Sequence, residues 1–307
     1  MANAAKMIEK QPARILLLGF PKAGKTGALA PLVDAGFKLR VLDFDGNMES
    51  LLLHVKDKSK LANVDIVFLE DKLRNGARFI ETAGNPTAFS DGLKLLDEWK
   101  YTDEDGTEVS LGKSKEWGRD TIVVIDSLTT MGYAAKRRAM AMLNKTPLNS
   151  TQQMWGLAMQ EQQHFIEKFT SSKNKFHIIV TSHLKMLSPN QISSDEDDVN
   201  KGIKEKQADL IPTRYYPNAL GKALPPEIGG AFPTILLMEK VYKGANLRRV
   251  IRTQTGAELD TGIPAPNMPA ELDISDGMLR VFDALTGGYR PTAVGSDTPT
   301  TAQETNQ

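Results

Sequence analysis

Short aliphatic runs that stop at glycine or at a carboxylate punctuate the first two thirds of the chain. Ile15, Leu16, Leu17 and Leu18 stop at Gly19. Residues 38–44 end in Val41-Leu42-Asp43-Phe44 before Asp45, and residues 64–69 stop at Glu70 and Asp71. Residues 121–125, Thr-Ile-Val-Val-Ile, stop at Asp126, and residues 176–181 stop at Ser182 and His183. Continuous apolar runs of this length predict strands buried on both faces, because a half-exposed strand would alternate apolar with polar positions. Between the runs the apolar spacing becomes helical. Residues 25–35 predict a helix closed by Gly36, with Pro31 inside it as a kink or a shortening. Residues 88–99 place Phe89, Leu93, Leu96 and Trp99 on one face. Two further helices are predicted at 129–143 and 151–169, the second capped by Ser150 or Thr151.

Strands alternating with helices predict an α/β fold whose mostly parallel sheet is covered by helices on both faces. Residues 102–106 form an acidic turn. From 188 to 230 regular patterning fails, and the segment carries the acidic run Asp195, Glu196, Asp197 and Asp198. A stretch of that length without pattern predicts a long mobile loop. Residues 234–241 and 248–253 then predict a C-terminal β-hairpin turning at 243–246, followed by an extended connector at 264–269 and a helix at 275–285. The organisation expected is an N-terminal segment (1–13), one domain (14–288) and a polar, disordered tail (289–307).

Composition narrows the function classes. Lysine plus arginine and aspartate plus glutamate number 38 each, so the net charge is zero, and binding to nucleic acid through bulk positive charge has no compositional support. The chain has no cysteine, which excludes disulfides, thiol catalysis and Cys-ligated zinc. The first residues lack the apolar run of a signal peptide, and no apolar stretch approaches membrane-spanning length. A soluble, intracellular protein that engages no membrane is expected.

The strongest chemical signal lies after the first strand. Gly19-Phe20-Pro21-Lys22-Ala23-Gly24-Lys25-Thr26 fits G-x-x-x-x-G-K-[ST] at every fixed position, with Gly27 following. Glycines let the backbone wrap around phosphate with successive N–H groups turned inward at a helix N-terminus. Lys25 would meet the β and γ phosphates, and the Thr26 hydroxyl would coordinate Mg2+. ATP and Mg2+ are therefore the expected ligands. Asp126, ending a buried strand, is the expected second carboxylate near the metal. Asp45, better placed than Asp43 because it is nearer the loop, is the candidate base for the attacking water. His183 ends another strand, where a polar group could sense the γ phosphate. Lys136-Arg137-Arg138 and Arg248, Arg249 and Arg252 form two basic clusters that read either as DNA-backbone contacts or as solvated faces. Tyr215 and Tyr216 could stack on single-stranded bases or pack the loop.

These elements, in this order and at these strand ends, resemble the RecA family of recombination ATPases, and most closely the short RecA-like ATPases of phages that accompany single-strand-annealing recombination. The resemblance covers about residues 14–252. It implies a RecA-like P-loop core extended by the C-terminal hairpin, with Asp45 where the family usually has glutamate and His183 where it commonly has glutamine. It further implies DNA-stimulated ATP hydrolysis coupled to single-stranded DNA, self-association as a ring or filament, and phage replication or recombination partners such as a single-strand-binding protein. The setting implied is the cytoplasm, that of the host for a phage protein. In such assemblies a basic residue reaches the neighbouring subunit's γ phosphate, and Lys222 and Lys240 are the candidates for it. Two other readings compete. An ATP-gated assembly or helicase-loading factor would share the fold, and a P-loop small-molecule kinase would need an arginine-rich lid.

Overall fold

In the computed structural model, residues 11–76, 78–103, 105–188, 213–244 and 246–291 are described. The chain begins with β1 (Arg14–Gly19), a 3-10 turn (Gly27–Leu29), α1 (Ala30–Asp34), β2 (Lys38–Asp43) and α2 (Glu49–His54). After β3 (Val64–Phe68) come the short strands β4 (Leu73–Asn75) and β5 (Ile80–Thr82), then α3 (Ala88–Asp97). The hairpin of β6 (Glu98–Thr102) and β7 (Glu108–Lys113) leads to β8 (Thr121–Asp126), α4 (Leu128–Met142) and α5 (Gln152–Phe169). Next are β9 (His177–Ser182), β10 (Leu184–Leu187), β11 (Arg214–Pro217) and α6 (Leu224–Ile228). The last elements are β12 (Thr234–Lys243), β13 (Asn246–Arg252), β14 (Glu271–Asp273) and α7 (Gly277–Thr286).

Eight strands form one sheet in the order β14-β13-β12-β1-β9-β8-β2-β3. The six from β12 to β3 run parallel, and β13 and β14 add antiparallel strands at one edge. The hairpin anticipated after residue 234 is therefore continuous with the core, since β12 pairs with β1 along Ile15–Gly19. The path from β1 goes over to β2, whereas the path from β9 crosses to β12 on the other side of β1. That reversal opens a crevice at the carboxyl ends of the strands, the place where open α/β sheets bind ligands.

Alternation splits the strands between two cores. Leu16, Leu18, Val123 and Ile125 face the layer that holds α3, α4 and α5. Ile15, Leu17, Ile122 and Val124 face the layer of α1, α2 and α7. Each of these side chains is buried at 0–1% exposure, and burial of one such side chain is worth about 1.5–3 kcal/mol, which explains why the strands read as unbroken apolar runs.

The helix expected over 25–35 is divided. A 3-10 turn precedes α1, and Pro31 sits in the first turn of α1, where its missing N–H costs nothing. Trp99, expected on the face of α3, lies on β6 instead and donates Nε1–H to Asp65 Oδ1 at 2.7 Å. The segment 188–230 is not irregular throughout. Arg214–Pro217 pairs antiparallel with Leu184–Leu187, and Leu220, Leu224 and Ile228 enter the first core. The acidic run at 195–198, most of the N-terminal segment and all but the start of the tail lie outside the described residues. Among the described residues no helix is long and apolar enough to cross a membrane.

A buried ion pair locks α3 to α4. Asp71, whose side chain is 1% exposed, accepts from Arg137 Nε at 2.7 Å and from the amides of Thr87 and Ala88 at the start of α3. Arg137→Met is expected to lower the unfolding free energy by about 3 kcal/mol, because it strands a buried carboxylate. Denaturant titration checks this; a loss below about 0.5 kcal/mol would mean that the pair contributes only as an exposed one does.

Candidate nucleotide-binding site

The loop after β1 carries the expected cradle. Gly24 stands at φ +105°, a conformation side chains rarely adopt, and a Cβ there would lie 2.8 Å from Arg249 Cδ. At Gly19 a Cβ would meet the Met238 carbonyl of the adjoining β12 at 2.8 Å, so the loop can leave the sheet only from a bare residue. Lys25 is 7% exposed. Its Nζ donates to the carbonyls of Gly19 at 3.0 Å and Phe20 at 3.3 Å, and to His183 Nδ1 at 3.2 Å. An ammonium has no lone pair, so His183 accepts at Nδ1 and carries its proton on Nε2. Burial lowers the pKa of Lys25, with Asp126 and Asp45 opposing; burial and then Lys25 lower that of His183.

Three further strand ends converge on this loop. Asp126, 2% exposed at the end of β8, accepts from Thr26 Oγ1 at 2.7 Å and from the Thr181 hydroxyl of β9. Burial pushes its carboxyl above the usual carboxylate range, with the Thr181 and Thr26 hydroxyls acting against it. Past the end of β2, Asp45 Oδ1 accepts from Ser127 Oγ at 2.9 Å and from the Thr130 hydroxyl at the start of α4. The strand expected over 38–44 stops at Asp43, and Asp45 lies beyond it in the following turn. Asp43 is turned inward, and its Oδ1 accepts from the amides of Asp45 at 2.9 Å and Gly46 at 2.8 Å, which shapes the turn that presents Asp45.

Asp43 Oδ2 is buried without a partner, and burial raises the carboxyl from 3.8 to about 6. A folded-state value raised above the unfolded one means that the associated stability is complete below pH 4 and is lost as pH rises toward 6. Asp43→Asn keeps the Oδ1 acceptor and removes the charge. Its melting temperature is expected to exceed that of the native chain by several degrees at pH 7.5, with no difference at pH 4. Equal melting temperatures at both pH values would refute the assignment of a buried charge at neutral pH.

A cleft of about 560 Å³ is lined by Lys25, Thr26, Asp45, Asp126 and His183, and also by Arg249 and Ile274 from the β13–β14 region. Asp45 lines a second cleft of about 350 Å³ as well, on the side of Phe68, Glu70 and Tyr133. The residues suit Mg2+ and a triphosphate: a loop bare of side chains at Gly24, a buried ammonium, and the hard oxygens of Thr26 and Asp126. Among the described residues no group of three or more His, Cys, Asp or Glu could hold a metal ion, so a divalent cation here would draw most of its ligands from phosphate and water.

The sequence did not single out Thr181, Ser127 or Thr130, which hold the two acids, or Arg249 as part of this cleft. For Ser127 and Thr130 the available signal was a hydroxyl one and four positions past the strand-end Asp126, and for Thr181 a hydroxyl near the end of its own buried strand. The basic clusters are largely committed within the fold. Arg137 pairs with Asp71, Arg138 with Glu161, and Lys136 lies 4.1 Å over the Trp155 ring. Arg248 pairs with Asp273, and Arg252 with Glu239 and Glu271. Lys222 and Lys240 are exposed and line no part of the cleft. Tyr215 packs edge-on against Phe20 of the phosphate loop, with ring centroids 5.9 Å apart.

A family described as an AAA domain matches residues 11–263 of the chain. Comparison with curated proteins gives no match. Among solved structures, the KaiC-like protein of the hyperthermophilic archaeon Pyrococcus horikoshii is similar at 10% identity and a TM-score of 0.35, over 79% of this chain and 78% of that one. The flagellar accessory protein FlaH of Methanocaldococcus jannaschii is similar at 9% identity and a TM-score of 0.34, again over 79% and 78%. The sheet is mostly parallel, and it carries the Lys25 loop after β1 and Asp126 at the end of β8, with β9 between those two strands. With the family match spanning most of its length, the chain belongs to this AAA domain family of P-loop ATPases.

Proposed function

We propose that the protein binds Mg-ATP in this cleft, hydrolyses it, and couples the nucleotide state to single-stranded DNA through the segment between β10 and β11. The observation that carries the first part is the convergence of Lys25, Thr26, Asp45 and Asp126 from three strand ends on one cleft. Mg2+, when bound, neutralises phosphate charge and orients the triphosphate; Thr26 would hold it directly and Asp126 through its water shell. Hydrolysis attaches a water oxygen to the γ phosphorus and breaks the bond to the bridging oxygen, leaving ADP and phosphate. Asp45 orients that water and takes its proton. With Oδ1 tethered to Ser127 and Thr130, the carboxylate is fixed in place, which offsets its shorter reach relative to glutamate.

Coupling is supported by what borders the segment 189–212. On one side, β10 follows directly on His183, which loses its bond from Lys25 whenever the ammonium turns to phosphate. On the other side, Tyr215 of β11 rests on Phe20 of the phosphate loop. The DNA ligand, a recombination role and assembly into a ring or filament rest on the sequence resemblance. ATP turnover measured with and without single-stranded DNA, with a Lys25→Ala control, tests the proposal. We expect stimulation of about tenfold that fades with added salt. Unchanged turnover together with no salt-sensitive DNA binding would remove DNA from the reading and leave the ATPase standing. A rate per subunit that rises with protein concentration would support a site shared between subunits.

A protein-partnered assembly factor is the second reading, favoured by exposed Leu73, Ile80 and Tyr133 around a cleft of about 380 Å³. Capped or partner-loading behaviour without DNA stimulation would shift the balance to it.

A further inference from the structure

The arginines of β13 are not equivalent. Arg248 reaches Asp273 at 3.0 Å, and Arg252 reaches Glu239 at 2.8 Å and Glu271 at 3.1 Å. Arg249 forms no ion pair among the described residues, although these acids stand on the neighbouring strands. Strand register explains the separation. Gly19 of β1 is level with Met238, Met238 with Ile251, and Lys240 with Arg249, so the hairpin overhangs the end of β1 by the step that carries Arg249. Alternation puts Arg249 on the face of Ile251, which belongs to the core holding Ala23 and Ala28 from the phosphate loop and its turn.

The consequence is a cation laid across the phosphate loop. A Cβ at Gly24 would lie 2.8 Å from Arg249 Cδ and 3.4 Å from its Nε, and 3.0 Å from Ile274 Cδ1. Arg249 and Ile274 both line the cleft that holds Lys25 and Thr26. A solvated arginine on a strand edge would have no reason to lie against the barest point of an anion-binding loop while its neighbours satisfy acids.

We propose that Arg249 is a nucleotide-binding residue acting within its own subunit, its guanidinium contacting phosphate oxygens of the nucleotide held on the Gly19–Thr26 loop. The assignment rests on the nucleotide reading given above. A planar guanidinium can give two parallel N–H bonds to a phosphate, which complements the single point charge of Lys25. Ile274 adds an apolar wall beside it. Because Arg249 is exposed and has no ion-pair partner among the described residues to lose, its replacement should leave the fold untouched.

Fluorescence titration of ATP and of ADP against the full chain in Mg2+, with melting temperatures alongside, tests the proposal on Arg249→Gln, Arg249→Lys and Arg248→Gln. The expected result is at least a tenfold loss of affinity for both nucleotides in Arg249→Gln, partial recovery in Arg249→Lys, native affinity in Arg248→Gln, and a native melting temperature in both Arg249 variants. Native affinity in Arg249→Gln, while the unaltered chain binds, would overturn the proposal and spare the nucleotide reading. Equal losses in Arg248→Gln and Arg249→Gln would also overturn it, by showing only the general charge of the hairpin. Failure of the unaltered chain to bind either nucleotide would overturn both readings at once.

Discussion

Lys25→Ala is expected to reduce ATP turnover by a factor of about a hundred to a thousand while leaving the protein as stable as before, or more so. The first half follows from charge. Lys25 is a buried cationic side chain of the phosphate loop, at 7% exposure, and lines the cleft, and a transferring phosphoryl group spreads negative charge over its oxygens. The second half follows from how that ammonium is satisfied in the protein alone. Two carbonyls and the His183 ring accept from it, and among the described residues no carboxylate pairs with it directly. Burial lowers its pKa, which means that the fold is burdened by the charge. Alanine relieves that burden at the cost of a small cavity beside the loop. A phosphate-release assay and a thermal melt read the two halves separately. Retained turnover would sink the assignment of the cleft, whereas lost turnover with a collapsed fold would sink the account of Lys25 as a functional expense.

Asp126→Asn carries a comparably large expectation. Turnover in Mg2+ should fall about a hundredfold or more, because the amide keeps the shape of the carboxylate and loses its charge. Stability should move the other way. Burial raises the folded-state pKa of Asp126 above its unfolded value, so the stability linked to this group is full below pH 4 and is lost as pH rises through the folded value. At pH 7.5 the native carboxylate is therefore a cost that asparagine removes, though the Thr26 and Thr181 hydroxyls must then share a neutral acceptor. The melting temperature should rise or hold. If the variant unfolds at a lower temperature yet keeps Mg-dependent turnover, Asp126 is a structural aspartate and the metal is held elsewhere.

The end of the sheet that borders the cleft was largely legible because its signals are local. A buried parallel strand must be apolar on both faces, so a glycine or a chargeable residue that ends it is conspicuous, as Gly19, Asp126 and His183 are. The phosphate loop adds glycines whose spacing has few other uses. What stayed hidden depends on register between distant segments. Arg249 becomes a cleft residue only because β12 pairs with β1 and β13 returns one step beyond it, and nothing in Leu247-Arg248-Arg249-Val250 distinguishes the two arginines. Asp43 and Asp45 were separated by a turn that Asp43 itself makes, through bonds to two amides that an alternation rule does not contain. The strand Arg214–Pro217 and helix Leu224–Ile228 were lost in a segment rich in proline and glycine, where long-range pairing with Leu184–Leu187 and burial of Leu220 and Leu224 override weak local preference. The helix Glu49–His54, only six residues long, has too few turns to show a period.

Asp45 forms part of the wall between two clefts, one holding the phosphate loop and the other bounded by Phe68, Glu70 and Tyr133. The aspartate thus also borders a rear cleft that no residue of the Gly19–Thr26 loop lines. A small molecule lodged in that rear chamber would slow turnover without displacing ATP, and raising the substrate concentration would not rescue the rate. Inhibitors of this class would be noncompetitive by architecture, and they could be sought with the nucleotide site saturated.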